Sequence, residues 1–367
     1  MNPAVADLAR GLRAACVDCG LCVKRCAFLG RHGSPGQMAA AWLEGRGVDA
    51  LPFLCSLCGL CQALCPTGAA PPAFFQAWRA QVAADKDWRP YRALLGYQNR
   101  GARPAFSHHL LPAGCDTVFF PGCTLPGQRP DLVWRAWRRL SGIWPGLGLV
   151  LDCCWRPAAM LGRMREHRQG QGRLAGRLTA AGVREVWAAC PNCLRALRED
   201  GPAAEAGLRV RDVYSVLLEL DPPVAGPGRR AVSLHDPCAS RFDDAIQAAA
   251  RGLVAASGRE LVELAASGRN TICCGEGGAV AALAPELASA WLDQRRAGLD
   301  GLPLFTYCAG CMLRYRRAGV DARHLLDLVL PAAQPRPAVW PPLAYLNRHR
   351  LVRRLRRLPA DTAKPGE

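Results

Sequence analysis

Two cysteine cassettes constrain this chain more than any other feature. Cys123…Cys153-Cys154…Cys190-x2-Cys193 is followed by Cys238…Cys273-Cys274…Cys308-x2-Cys311. Matching cysteines are offset by 115, 120, 120, 118 and 118 residues. A single cysteine, an adjacent pair and a C-x2-C, repeated in the same order, indicate an internal duplication in which each copy is one structural unit. Ten of the 19 cysteines lie in the cassettes and eight more in two upstream runs of C-x2-C-x2-C-x3-C, leaving Cys115 alone. Cys115 reads as a spare thiol near the first cassette or, the simpler reading, a buried hydrophobe.

Patterned thiols can mean disulfides, zinc or iron–sulfur clusters. Disulfide scaffolds are short and secreted, whereas 367 residues suffice for two or three domains with cores of their own. Met1-Asn2-Pro3 opens no basic region ahead of an apolar core, so the N-terminus does not read as a signal peptide. No stretch reaches the roughly 18 uninterrupted apolar residues of a membrane span. A reducing, cytoplasmic setting is therefore expected, where such thiols bind metal.

The upstream runs are Cys16-x2-Cys19-x2-Cys22-x3-Cys26 and Cys55-x2-Cys58-x2-Cys61-x3-Cys65. A turn of C-x2-C-x2-C wraps three thiolates around one face of a cubane, with Gly20 and Gly59 giving conformational freedom beside it. The fourth cysteine starts a helix and reaches the other cluster. This spacing assigns Cys16, Cys19, Cys22 and Cys65 to one [4Fe–4S] cluster and Cys55, Cys58, Cys61 and Cys26 to another. Zinc would have no use for the third cysteine of each run. Ala27 stands where proline usually follows the fourth cysteine. Helices expected over 3–15, 37–44 and 71–87 make residues 1–88 an α-helical dicluster ferredoxin domain.

Residues 89–115 read as a linker, with His108 and His109 as packed or solvated side chains rather than ligands. In the first cassette, strands at 117–120, 147–151 and 183–189 each lead into a cysteine group, with a helix over about 129–140. In the second, strands at 231–234, 270–272 and 302–307 do the same, and a closing helix covers 321–330. Ligands gather at the carboxyl ends of strands in open α/β sheets, so separated cysteines can converge there. The expected fold is α/β: the ferredoxin domain, then two tandem α/β repeats with parallel strands over 116–225 and 226–331, then a tail over 332–367. Gly275-x-Gly277-Gly278 only faintly matches a dinucleotide fingerprint. It reads better as backbone approaching a bulky cluster.

A formal charge of +17 invites a nucleic-acid reading. Three lysines against 44 arginines indicate compositional bias instead. Four thiolate-ligated clusters would also contribute roughly −10. A zinc-dependent nucleic-acid binder leaves the adjacent Cys-Cys pairs unexplained.

The arrangement resembles the CCG-domain family, over roughly residues 10–330. That family includes heterodisulfide reductase catalytic subunits of the D type and the iron–sulfur subunits of glycolate oxidase and anaerobic glycerol-3-phosphate dehydrogenase. The resemblance implies a non-cubane [4Fe–4S] cluster in each cassette: one on Cys123, Cys153, Cys154, Cys190 and Cys193, the other on Cys238, Cys273, Cys274, Cys308 and Cys311. Trp155 replaces the glycine that usually follows the first cysteine pair, either shielding that cluster or packing in the core. His235 and Asp236 beside Cys238 suit a proton relay to a leaving thiolate or hydrogen-bonded scaffolding.

Two functions stand on this reading. One is disulfide reduction at the cassettes. The other is an electron relay serving a flavin dehydrogenase and quinone. Neither flavin nor nicotinamide motifs are evident, so a flavoprotein or other donor subunit is expected, with a quinone-reactive or cytochrome partner at the membrane. The tail is proline-rich and then basic. Leu351, Val352, Leu355 and Leu358 share one helix face among Arg348, Arg350, Arg353, Arg354, Arg356 and Arg357, with Trp340 and Tyr345 upstream. This pattern suits an interfacial helix on an anionic membrane, a docking element or a solvated tail.

Overall fold

A computed structural model describes residues 2–199, 201–224, 230–299, 301–330 and 339–358. The expected boundary near 225 and the prolines at 331, 335 and 337 lie outside them. The N-terminal part is helical, as the spacing requires. Asn2 caps the Pro3–Ala15 helix by accepting from Ala4 N at 3.0 Å. The Pro35–Leu43 helix starts two residues earlier than expected because Ser34 and Gln37 form a reciprocal capping box. Phe74, Phe75 and Trp78 of the Pro71–Val82 helix are buried, as the periodicity implies.

Each cassette forms a small parallel sheet. The first contains β1 (His108–Leu110), β2 (Thr117–Phe120), β3 (Gly148–Leu151), β4 (Glu185–Ala188) and β5 (Arg209–Asp212), in the order β1-β3-β2-β4-β5. The second contains β6 (Ala231–His235), β7 (Glu260–Val262), β8 (Leu304–Thr306) and β9 (Ala322–His324), in the order β7-β6-β8-β9. Setting β1 aside, the two orders are the same and every pairing is parallel. The duplication read in the cysteines is therefore a duplication of topology. Every residue of β2, β3 and β8 is buried, as in parallel sheets covered on both faces.

Four expectations change. The stretch read as a linker holds the Arg92–Gly101 helix and β1, which pairs antiparallel with β3 and covers that sheet edge. No strand covers 270–272. The chain reaches Cys273 from a single 3₁₀ turn at Gly268–Asn270, and the pairing strand is β7, eight residues earlier. The closing helix over 321–330 splits into β9 and the short Leu326–Val329 helix, because β9 is needed to complete the sheet. The tail helix, Leu343–Leu355, buries Leu351, Val352 and Leu355 against the first cassette's core, and Leu358 packs at its edge. An apolar face already covered by the chain is not offered to a bilayer. No helix among the described residues is long and apolar enough to cross a membrane.

The cores are shared between modules rather than private to them. One cluster runs from the first sheet through the Val213–Leu220 and Asp244–Ala256 helices into the second. Gly252 makes this crossing close, since a Cβ there would lie 2.5 Å from Leu218 Cδ2. A second cluster joins the ferredoxin helices to Val280, Leu287 and Trp291 of the second cassette.

Candidate metal centres

The two upstream runs fold as near copies. Asp18 and Leu57, at the same place in each turn, take left-handed backbone at φ +50° and +54°. Cys16, Cys19, Cys22 and Cys65 line one small pocket, which Cys61 also lines. Cys16, Cys19 and Cys65 are near enough to Cys22 to disfavour its ionisation. The remaining four form a second group around Cys26, Cys55, Cys58 and Cys61. This crossed grouping is the one the spacing predicts. Cys26 begins the Ala27–His32 helix, whereas Cys65 is followed by a turn, and its next helix starts at Pro71.

Burial pushes the Cys26 thiol up to about 11 and the Cys55 thiol up to about 12. Without metal these thiols keep their protons at neutral pH, so assembly of a metal centre must displace them. Cys19 is exposed beside exposed Val17 and Leu21, which makes the Cys16 group the outer one.

The second group lies against the second cassette. The Cys238 thiol is pushed up chiefly by its hydrogen bond with Cys273 and by burial, and it also feels the charge of Cys58, while the Ser56 hydroxyl reaches the Cys273 sulfur. The glycine run has its explanation here. Gly278 has φ +67°, and a Cβ on it would lie 2.7 Å from Cys55 O and from Ser56 Cα. Gly277 and Gly278 admit the backbone of the ferredoxin turn, while Gly275 admits the backbone of Ala288, where a Cβ would lie 2.2 Å from Ala288 O. Sequence reasoning identified the need for close approach but not the partner, because the contact spans more than 200 residues.

The cassette cysteines converge as well. Cys123, Cys153 and Cys154 influence one another's ionisation, and Cys193 hydrogen-bonds with Cys154 and Cys190. In the second cassette Cys274 Sγ lies 3.1 Å from Cys311 Sγ, with Cys238 against Cys273 and Cys308 against Cys311. The two sets then meet, because Cys190 and Cys308 are hydrogen-bonded sulfurs. Tyr214 holds this junction. Its hydroxyl is shared between Ala189 O at 2.6 Å and Tyr307 O at 3.1 Å, the residues just before Cys190 and Cys308.

One open cleft, enclosing about 1830 Å³ with its mouth included, is lined by Cys123, Cys154, Cys190 and Cys193 on one side. Cys238, Cys274, Cys308 and Cys311 line the other. Glu276 faces it too. The residue keeps an exposed surface, while desolvation of its carboxyl by the cleft walls pushes its pKa above the usual range despite Arg314 and Arg317 nearby.

The residues present fit iron–sulfur clusters. The four groups are built of thiols, with only His235 added beside Cys274 and Cys311 in the second cassette, and the backbone makes room beside them. Gly122 has φ +81°, and a Cβ on it would lie 2.9 Å from Cys190 Cβ and 3.3 Å from Cys193 Sγ, filling the cradle. Other singled-out residues take supporting positions. His235 is fully buried behind the second cassette, with Nδ1 3.3 Å from the Tyr315 hydroxyl. It forms a tight group with Cys274 and Cys311, and it does not line the cleft. Burial pulls its imidazole down to about 3.

Asp236 acts as a hub. Burial opposes its ionisation, but Arg251, the Gly268 N–H and the Tyr307 hydroxyl hold its carboxyl below the usual range. Asp152 plays the matching part in the first cassette, accepting from Cys153 N at 2.7 Å and pairing with His109 Nε2 at 2.8 Å. The Trp155 indole lies over Gly170 and beneath Arg173, outside the cleft lining, so the packed-core reading is the one observed. Cys115 is buried, with its sulfur 3.2 Å from Thr117 O.

Arg79 and Arg241 escaped the sequence reading, and Arg348 was read there only as part of the tail's basic face. Arg79, Arg241 and Arg348 are buried and donate to the backbone carbonyls of Cys55, Cys58 and Cys123 respectively. Arg79 carried one signal: it sits four residues after Phe75, on the apolar side of its helix, where a charge is out of place.

Comparison with known proteins bears on the ferredoxin runs and the second cassette. The 4Fe-4S dicluster domain family matches residues 14–69, and the cysteine-rich CCG domain family matches residues 232–316. The chain is similar to a subunit of the fumarate reductase (CoM/CoB) of Methanothermobacter marburgensis, 23% identical over 337 residues, which is 82% of this chain and 67% of that one. It is also similar to a subunit of the dihydromethanophenazine:CoB–CoM heterodisulfide reductase of Methanosarcina barkeri, 25% identical over 342 residues, 77% of this chain and 82% of the relative.

Proposed function

We propose that this chain, an iron–sulfur oxidoreductase subunit distantly similar to heterodisulfide reductase subunits, reduces a disulfide in the cleft between its two cassettes. The observation carrying this reading is that thiols of both cassettes line one open cleft. A disulfide has two sulfurs, and a cleft with a thiol-rich wall on each side can receive one sulfur against each. Conversion to two thiols consumes two electrons and two protons. The electrons come from a partner subunit, in keeping with relatives that are named as subunits.

When bound, the clusters supply one-electron transfer. Cys16, Cys19, Cys22 and Cys65 would hold the outer cubane, and Cys26, Cys55, Cys58 and Cys61 the inner one. Cys123, Cys153, Cys154, Cys190 and Cys193 would hold the first cassette cluster. Cys238, Cys273, Cys274, Cys308 and Cys311 would hold the second, the catalytic set of this reading. Five thiols per cassette exceed the need of a cubane, which is why a non-cubane form is proposed. The chain's own groups manage protons and access. Glu276, whose pKa desolvation raises, offers a carboxyl in the cleft wall that can take up and release a proton, and His235 stays neutral behind Cys274 and Cys311 as a second relay position.

The test is anaerobic titration of the reduced full chain with small disulfides while the cassette spectra are followed. Spectral change with stoichiometric thiol release supports the reading, and its loss in both Cys193→Ala and Cys311→Ala assigns it to the shared cleft. The alternative is a relay feeding a flavin dehydrogenase or a quinone partner. The exposed Cys19 surface favours it, since that surface suits an electron partner without any cleft chemistry. Oxidation by a quinone analogue with no response to disulfides would select the relay.

A further inference from the structure

An uncompensated ion buried in a protein costs several kcal/mol, so buried charges are ordinarily matched. Arg129 follows this rule. It is 1% exposed, and its two Nη atoms each lie 2.8 Å from the Asp327 carboxylate. Arg79 and Arg241, at 0% and 1% exposed, do not. Among the described residues each hydrogen-bonds to backbone carbonyls and to no carboxylate. Arg79 donates from Nε to Pro52 O at 2.9 Å, from Nη1 to Met160 O and Gly278 O, and from Nη2 to Cys55 O. Arg241 donates from Nε to Cys58 O and from Nη2 to Thr271 O, both at 2.7 Å, and from Nη1 to Arg269 O. Carbonyls satisfy the N–H groups but leave a full positive charge on each side chain. The two charges flank one feature, the Cys55–Cys58 turn, with a guanidinium on the carbonyl of each end cysteine.

We propose that Arg79, assisted by Arg241, is the buried counter-charge of the Cys26, Cys55, Cys58 and Cys61 centre and sets its reduction potential. Both are positioning residues, acting through the turn and through their field rather than as ligands. The proposal rests on the reading that these four thiols hold a [4Fe–4S] cluster. Reduction adds one electron from an external one-electron donor and breaks no bond, so the centre becomes one unit more negative. A fixed cation in a low-dielectric interior stabilises that extra charge more than it would in water. It therefore raises the potential of the inner centre and draws the electron from the outer one. Arg79 also binds the carbonyls of Met160 and Gly278, so the side chain that tunes the centre also seats the ferredoxin domain on both cassettes. Electron transfer distance and driving force are thus fixed together.

The experiment uses full-length, anaerobically purified protein with iron assayed and midpoints read by EPR-monitored redox titration. Arg79→Gln removes the charge and keeps an amide donor. Arg79→Lys keeps the charge and loses the planar fork. The expected result is that Arg79→Gln moves one cubane midpoint to more negative potential while Arg79→Lys stays near the parent. Arg241→Gln is expected to shift the same signal in the same direction. Equal midpoints in the parent and Arg79→Gln at full iron content would overturn the proposal, as would equal shifts in Gln and Lys variants. Iron loading in Arg79→Lys but not in Arg79→Gln supports a requirement for charge; failure of both to load overturns it. A parent lacking a second cubane signal would instead refute the cluster reading, a result visible before any variant is made.

Discussion

Trp155 shows how a single side chain binds two parts of the sequence together. Its backbone takes left-handed φ of +60°, a conformation in which glycine is at home. The indole is accommodated because position 170 is glycine; a Cβ there would come within 2.0 Å of the ring. Gly170→Ala is expected to cost about 1–3 kcal/mol through overpacking, and Trp155→Ala about 3–5 kcal/mol through cavity formation. Anaerobic denaturant unfolding at equal iron content would measure both, and the first cassette's response to added thiol should stay unchanged in Trp155→Ala. His324 supplies a pH dependence. Burial pulls its pKa down to about 3, far below the unfolded value near 6.5. Folding thus favours the neutral ring, so its contribution is complete above about pH 6.5 and is lost as pH falls toward 3. Stability should decline by about 1.4 kcal/mol per pH unit for this residue in that window. His324→Gln should flatten the profile between pH 6.5 and 5.5, read from unfolding midpoints.

At the scale of elements, the tail helix is where pattern and partner part company. Its apolar stripe was legible, and the helix forms, but the stripe lies on the first cassette rather than on lipid. Arg348 explains the fit: it is 3% exposed and donates to Phe106 O at 2.7 Å, Gly101 O at 2.9 Å and Cys123 O at 3.2 Å. Val352→Asp should therefore destabilise the folded chain by about 4 kcal/mol or more, because it buries an unpaired charge. A membrane-facing helix would instead lose liposome binding with folding unchanged, so co-sedimentation and thermal unfolding separate the two. The bidentate Arg129–Asp327 pair ties the helix after β2 to the one after β9. Asp327→Asn leaves the buried guanidinium only the part-buried Asp131 carboxylate, 3.5 Å from its Nε, and should cost about 3 kcal/mol in denaturant unfolding.

For the whole molecule, the four thiol groups form a sequence in space: an outer ferredoxin site, an inner one against the second cassette, then the first cassette across the Cys190–Cys308 contact. Anaerobic metal analysis should find about 16 irons per chain with little zinc. About 8 irons with stoichiometric zinc would contradict cluster binding by the cassettes. Cys61→Ala, which removes one thiol of the inner group, should slow reduction of both cassettes by a donor acting at the Cys19 surface, followed by stopped-flow absorbance, if that group holds the proposed cluster.

Local information carried a great deal of this. Cysteine spacing determined the crossed grouping of Cys26 and Cys65, because a turn of seven residues can present only three sulfurs to one side. The repeat determined the topology, since two equal patterns of strand, cysteine and helix fold alike. Strand ends bearing Cys123, Cys190, Cys238 and Cys308 were legible from buried apolar runs. What only the tertiary structure decided is which surfaces meet. The seating of Gly278 on the Cys55 turn, the shared cleft and the carbonyls that receive Arg79, Arg241 and Arg348 all join residues far apart in the chain. Their partners are backbone atoms, which every residue has and no sequence pattern marks.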